Sequence, residues 1–373
     1  EAAFLYQLFV RRFGTNNLPD CSNMCHESSG TALTETVGIG KGTVTLEDFE
    51  KAQLIVVIGQ NPGTNHPRML TALEAAKRQG CRIVSINPLP EAGLQRFKHP
   101  QKVRGMLGAG TPLADAFLQV RINGDVALLQ GLGKALLERE ASAPGSVVAR
   151  DFVDTQTLGF EAWAEQLGRV SWDDVVREGG VSREQLETVA GWMAETDRII
   201  WCWAMGLTQH KNAVGNIQEV VNLALVRGAV GKPGAGLCPV RGHSNVQGDR
   251  TMGINERPRP AFLQALGQEF GFTPPAHHGL DTVATLQGMR EGTVKVFFAL
   301  GGNFLSATPD TEVTAEALRK TRLTVHVSTK LNRAHLVTGR RALILPCLGR
   351  TEHDAQATGP QFVTVENSMG AVH

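Results

Sequence analysis

The sequence predicts an α/β protein: two Rossmann-like, three-layer α/β/α domains with mostly parallel sheets. Three observations carry this. Leu54-Ile-Val-Val-Ile58 is an unbroken apolar run of β-rich residues, as a strand buried on both faces requires. Such runs alternate with helical segments and end in turns rich in Gly and Asn, and the chain holds 41 glycines in 373 residues. One pattern also recurs. Strand–Gly59-x-Asn61–helix–strand–Asn87 returns as strand–Gly301-x-Asn303–helix–strand–Thr329, each copy spanning 28 positions. Each copy reads as a mononucleotide-binding βαβ half, with polar residues at the carboxyl ends of its strands, where open α/β sheets take ligands. Two ordinary βαβ units with nothing bound are the bland alternative.

The elements follow in order. Residues 1–13 read as the end of a helix, and Gly14–Asp20 as a loop or short strand. Thr45-Leu-Glu-Asp48 resembles a capping box that opens a short helix. After the strand at 54–58 come a helix over about 67–79, a strand at Arg82–Ile86, a strand at Phe117–Ile122 and a helix to about 138. Residues 150–197 read as helical, with Ser182-Arg-Glu-Gln185 as a capping box. A strand at Arg198–Trp203 leads to a long helix ending near Arg227, and residues 228–248 read as Gly-rich and irregular. Strands at Lys295–Leu300, Leu323–Val327 and Ala342–Pro346 and a helix at about 311–320 complete the chain. Trp192, Trp201 and Trp203 read as core, not as an electron path.

Composition excludes several classes. With 37 basic and 36 acidic residues, the net charge of +1 gives no electrostatic case for nucleic acid or an anionic membrane. No apolar run is long enough to span a bilayer. Six scattered cysteines in a long chain point to a reducing, cytoplasmic compartment and not to a disulfide framework. The chain opens on Glu1-Ala-Ala, so the native N-terminus is expected to be missing and export stays open.

The residues with chemistry fall in two distant segments. Cys21-Ser-Asn-Met-Cys25-His26 offers a soft thiolate next to an imidazole. The bare dipeptide is better explained by a buried Cys beside a surface His, and no second ligand pair completes a zinc site. Pro239-Val-Arg241-Gly242-His-Ser-Asn-Val-Gln-Gly248 supplies an arginine, whose planar fork suits a carboxylate. Gly38-Ile-Gly40-Lys41-Gly42 fails the Walker pattern, because Gly and not Ser or Thr follows the lysine; its backbone and Lys41 could meet a pyrophosphate, and a flexible turn explains the run about as well. Gly59-Gln-Asn61-Pro62-Gly-Thr-Asn-His66-Pro closes one strand, and Asn87-Pro88 closes the next. Asp125, after Gly124, reads as a helix N-cap.

Together these motifs resemble the bis-molybdopterin-guanine-dinucleotide oxidoreductases, the dimethyl sulfoxide reductase superfamily, and within them the formate dehydrogenase alpha subunits. The resemblance runs over nearly the whole chain. It implies the two central α/β domains of that fold: residues 21–244 carrying the metal-ligand cysteine and the first guanine dinucleotide, and 1–20 with 245–373 binding the second. It implies Cys25 as ligand to molybdenum or tungsten, His26 as proton acceptor or relay, and Arg241 as the group that faces the metal and holds formate. It assigns the first dinucleotide and pterin contacts to Gly40, Lys41, Gly59, Asn61, Pro62, His66, Asn87, Pro88, Gly124, Asp125, Gly206, Gln209 and Gly242. Gly301, Asn303, Ser328, Thr329 and Lys330 are assigned to the second. Ala204 stands where the family's Gly-x-Gly turn has its first glycine, and Glu352 where it has a glutamate near the metal funnel.

The implied activity is two-electron oxidation of a small carboxylate, formate to CO2. The electron acceptor is unassigned. The family's four-cysteine iron–sulfur domain and its C-terminal cap are expected in the parent protein and not in this chain, which is expected to purify without pterin and without turnover. The alternatives are a cofactor-binding or stress-related protein of the same fold without formate turnover, and an oxidoreductase for another small oxo-substrate. A nicotinamide dehydrogenase ranks last, because no clean Gly-x-Gly-x-x-Gly precedes a suitably spaced acid.

Overall fold

The computed structural model describes residues 2–243, 245–367 and 370–373; Ser244 of the arginine run and Ser368 and Met369 of the tail lie outside the described residues. The chain forms two compact units. One comprises residues 24–244 with 366–371, and the other residues 1–23, 245–365 and 372–373. Cys21–Asn23 therefore belong to the discontinuous unit, and Glu366–Ala371 to the other.

The larger unit holds a parallel five-stranded sheet: β1 Leu54–Ile58, β2 Arg82–Ile86, β3 Ala116–Leu118, β4 Ile199–Trp203 and β5 Gly236–Pro239. Its order, β3-β2-β1-β4-β5, reverses direction between β1 and β4, where ligand clefts of such sheets open. All five residues of β1 are buried. Leu54, Val56 and Ile58 face one core with Trp201, Trp203 and the helices Asp125–Ser142 and Ala213–Val226. Ile55 and Val57 face the other with Ile83, Cys202 and the helix Met69–Arg78. Both tryptophans are fully buried, as core residues should be.

Three readings need correction. β3 stops at Leu118, not Ile122. It pairs only with β2, which ends opposite it at Ile86, so Gln119–Ile122 have no strand to bond and Ile122 is exposed. The segment read as irregular contains β5. Its glycine, proline and four-residue length hide it, and Thr43 secures it by taking the Leu237 N–H on Oγ1 and giving its own N–H to Leu237 O, each at 2.9 Å. Asp48 also does not complete a capping box. The Asp48 carboxylate folds back onto the Thr45 N–H at 2.8 Å and hydroxyl at 2.9 Å, and the helix Asp48–Lys51 has no side-chain cap. The Ser182–Gln185 box, by contrast, is reciprocal.

The discontinuous unit has three parallel strands, β6 Val296–Leu300, β7 Leu323–Ser328 and β8 Arg341–Pro346, with β7 central. Helices Thr282–Glu291 and Thr311–Lys320 pack against it around Met289, Leu305 and Leu318. Tyr6, on the helix Ala2–Arg12, donates to Phe298 O at 3.0 Å and so ties the start of the chain to β6. The sequence repeat is not a strict structural one. β1 and β2 pair at an offset of 28 (Leu54 with Arg82), but β6 and β7 at 27 (Val296 with Leu323).

Candidate functional site

Cys25 and His26 form the turn that enters the helix Glu27–Val37. Both are buried, and Cys25 O accepts the Thr208 hydroxyl at 2.6 Å, so the short helix Met205–Thr208 after β4 holds this turn in place. His26 Nε2 lies 3.2 Å from Val240 O, just past β5. A carbonyl only accepts, so Nε2 carries the proton and Nδ1 is the acceptor. Nδ1 then takes the Ser29 hydroxyl at 2.8 Å, and Ser29 Oγ accepts Trp203 Nε1–H at 2.9 Å. The result is a directed chain from Trp203 through Ser29 and His26 to Val240. Burial and the Arg241 guanidinium lower the His26 pKa to about 4, so the ring is neutral at pH 7 with both nitrogens engaged.

Arg241 follows Val240 and donates to Gly40 O at 3.2 Å. Burial lowers its pKa, opposed by Cys25, Cys238 and Glu366 nearby. Two thiols and a carboxylate thus lie within electrostatic reach of one partly desolvated guanidinium. Glu366 was not singled out in the sequence. Its side chain is 3% exposed and pairs with Lys41, beside the same Gly40 turn. Nothing local marks it, since it lies far along the chain from Arg241. Ser29 lies in a Ser28-Ser-Gly30 run that carries no chemical motif of its own. Gly242 and His243 are exposed.

The glycines at the sheet's switch point have a direct structural cause. Gly59 has φ +60°, and a Cβ there would stand 2.6 Å from Leu207 N. A Cβ on Gly206 would stand 2.6 Å from Gly59 Cα and O, and the Gly206 N–H donates to Gly59 O at 2.9 Å. The loops after β1 and β4 therefore touch backbone to backbone. Asn61 caps the turn Pro62–Asn65 by accepting Thr64 N–H at 3.1 Å and donates to Glu91 at 2.5 Å. Asn87 is buried and donates to Gln60 O at 3.1 Å, while Pro88 O accepts from Gln119 at 2.9 Å. Gln209 donates to Met24 O.

Gly124, not Asp125, is the N-cap of the helix Asp125–Ser142, and Glu178 O approaches too closely to admit a side chain there. Asp125 is the first helical residue. It is buried, its pKa is raised by burial, and His210 Nε2 lies 3.9 Å away.

In the discontinuous unit, Gly301 and Gly302 both have positive φ, and the Gly301 N–H donates to Val327 O at 2.7 Å. Asn303, Thr329 and Lys330 are exposed at the carboxyl ends of β6 and β7, while Ser328 is buried against His335 at 3.1 Å. Glu352 is exposed and folds back on the Gly349 N–H.

Around Arg241 the donor set fits a metal carried by a cofactor better than one held by protein alone. Among the described residues, no group of three or more His, Cys, Asp and Glu converges on one point. A metal taken by Cys25 must therefore bring most of its ligands with it. Gln60 Oε1, in the loop after β1, is a buried polar atom without a hydrogen-bond partner, as expected where a polar ligand completes the set, while His66 bonds to the Arg241 backbone.

Comparison with known proteins identifies the family. The family model described as molybdopterin oxidoreductase matches residues 1–354. An uncharacterized oxidoreductase of Mycobacterium tuberculosis is 60% identical over all 373 residues, which cover 48% of its length. The protein YdeP of Escherichia coli is 50% identical over 378 aligned residues, covering all of this chain and 50% of its own. YrhE of Bacillus subtilis, provisionally named a formate dehydrogenase, is 27% identical over 315 residues, covering 81% of this chain and 29% of its own. The chain spans about half the length of the first two. The solved acetylene hydratase of Pelobacter acetylenicus shares the fold, with a TM-score of 0.63 at 18% identity, over 87% of this chain and 45% of its own.

Proposed function

Because the chain belongs to the molybdopterin oxidoreductase family, we propose that its full-length protein oxidises a small carboxylate, formate to CO2, at a Cys25-ligated molybdenum or tungsten. The observation that carries this reading is the half-buried Arg241 guanidinium, which lies within electrostatic reach of the Cys25 thiol. A carboxylate entering there meets a planar two-pronged donor in a low-dielectric setting, where charge-assisted bonds are strongest. The molybdopterin, when bound, supplies the two-electron acceptor. Formate oxidation releases CO2, one proton and two electrons, so a proton must leave the site. His26 could accept that proton at Nδ1 once it releases the Ser29 hydroxyl.

Asn61, Pro62, His66, Asn87, Pro88 and Asp125 would hold the first guanine dinucleotide at the carboxyl edge of β1 to β3. Gly59, Gly124 and Gly206 would shape that edge. Gly40, Lys41, Gln209 and Gly242 would meet the pterin and pyrophosphate. Gly301, Asn303 and Ser328–Lys330 would hold the second dinucleotide on β6 and β7. A likeness to a provisionally named formate dehydrogenase supports the substrate class. The proposed partners are formate and an electron acceptor, with no nucleic acid or membrane lipid. No helix among the described residues is long and apolar enough to cross a membrane.

The test uses the full-length protein with pterin biosynthesis active and a dye acceptor. Arg241→Ala should raise the formate KM by about 10- to 100-fold, the loss of a charge-assisted bond pair, while leaving the metal content intact. Unchanged kinetics would remove the carboxylate role.

A further inference from the structure

A cavity of about 590 Å³ opens in the larger unit, beside the loop after β1 but away from Cys25 and Arg241. Of the residues assigned to cofactor, only Asn61 lines it. Its walls are the start of the helix Met69–Arg78 and the connection between β2 and β3. We propose that this cavity is a second ligand site, which takes a small phosphate monoester with an apolar body.

The walls are held independently of any ligand. Gly63 and Gly93 touch through their backbones: a Cβ on Gly93 would stand 2.8 Å from Gly63 Cα. Asn61 bonds across the same gap to Glu91 at 2.5 Å. Behind the cavity, buried Glu74 gathers Arg78 at 3.0 Å, Lys102 at 3.3 Å and the Thr111 hydroxyl at 2.9 Å, and Thr111 bridges to Phe97. The stem of Lys98 lies on the backbone of Gly110, whose φ is +79°. The segment carrying the charged groups is therefore wound onto the unit and anchored at several points.

The charges facing the cavity do not cancel. Arg68, Arg96 and Lys98 line it against one carboxylate, Glu91, which already accepts Asn61. Three cations against one anion leave a surplus that a dianion would balance. Among the described residues, no ion pair engages Arg68, Arg96 or Lys98. Arg96 uses Nη1 on Ala109 O at 3.0 Å, which leaves its other donors free to point elsewhere. His99 is buried and accepts the Gln101 N–H on Nδ1 at 3.2 Å, so the neutral ring carries its proton on Nε2 and can donate it. Leu70, Phe97 and Pro67 supply an apolar wall for the body of the ligand. A phosphate monoester carries close to the missing charge and three acceptor oxygens for these donors.

The experiment is calorimetric titration of the chain at low salt with phenyl phosphate, inorganic phosphate and succinate. The paired substitution Arg96→Ala with Lys98→Ala removes two exposed cations without touching the core, and its unfolding midpoint serves as the folding control. We expect saturable phenyl phosphate binding, tighter than inorganic phosphate, weakened at least tenfold by the paired substitution and unmoved by Lys41→Ala. Four results would overturn the proposal: no saturation at millimolar ligand, equal affinity in the paired variant, loss confined to Lys41→Ala, or tighter binding of succinate than of either phosphate. The last would make the ligand a dicarboxylate.

Discussion

Gly59 and Gly206 show how close the ends of β1 and β4 must come, and neither tolerates a methyl group without moving backbone. Gly59→Ala adds strain at positive φ to that clash, so a loss of about 2–4 kcal/mol is expected in urea unfolding. A neutral Gly59→Ala would show that the two loops do not touch. Ser29 is the hub of the His26 chain. Ser29→Ala leaves Trp203 Nε1 and His26 Nδ1 buried without partners, and should cost about 1–3 kcal/mol in the same assay. Cys25, His26 and Arg241 could be singled out from the sequence because the motifs around them resemble a family's, not because of their bare residue types. Their mutual position could not, because it depends on Val240 following a strand that the sequence hides. Glu366 could not be found at all, since only the fold brings a carboxylate from the tail onto Lys41.

At the level of elements, β1 and β4 were legible because two-sided burial writes itself as an unbroken apolar run, and β2, β6 and β7 as β-rich segments between helices. β5 and the outer end of β3 were not, because edge position and glycine erase that signal. The one-residue difference between the two βαβ registers was equally hidden, since motif spacing counts residues and pairing counts ladder bonds. The loop after the helix Asp125–Ser142 has its own electrostatic clamp. Burial would raise the Glu140 pKa, but N–H donors from Val148, Gly145 and Val147 prevail and lower it. A carboxylate with a depressed folded pKa stabilises fully above its ordinary value of 4.5, and loses that contribution as pH falls through the folded value. Glu140→Gln should therefore be less stable than the unmodified protein at neutral pH, with the gap closing in strongly acidic buffer. A gap that persists unchanged into acid would refute the clamp.

At the scale of the molecule, the two units carry parallel sheets of unequal finish. In the larger unit β1 is fully covered, whereas in the other Leu343, Ile344 and Leu345 of β8 are 51%, 42% and 46% exposed. Parallel strands ordinarily have both faces covered. The chain should therefore bind the dye ANS, and Leu343→Lys with Leu345→Lys should cut the signal by at least half; a chain without ANS binding would contradict that exposure. The fold class and the family were legible from motif and pattern. The substrate was not, because residues that hold a carboxylate do not name the acid. The central claim is that Cys25 holds the metal of a molybdopterin guanine dinucleotide. It is tested most directly by metal analysis and nucleotide release on the full-length protein, made with pterin biosynthesis active, beside its Cys25→Ala variant. The account predicts stoichiometric molybdenum or tungsten with GMP released on acid hydrolysis, and weakened metal retention in the variant. A folded protein with neither metal nor GMP would contradict it.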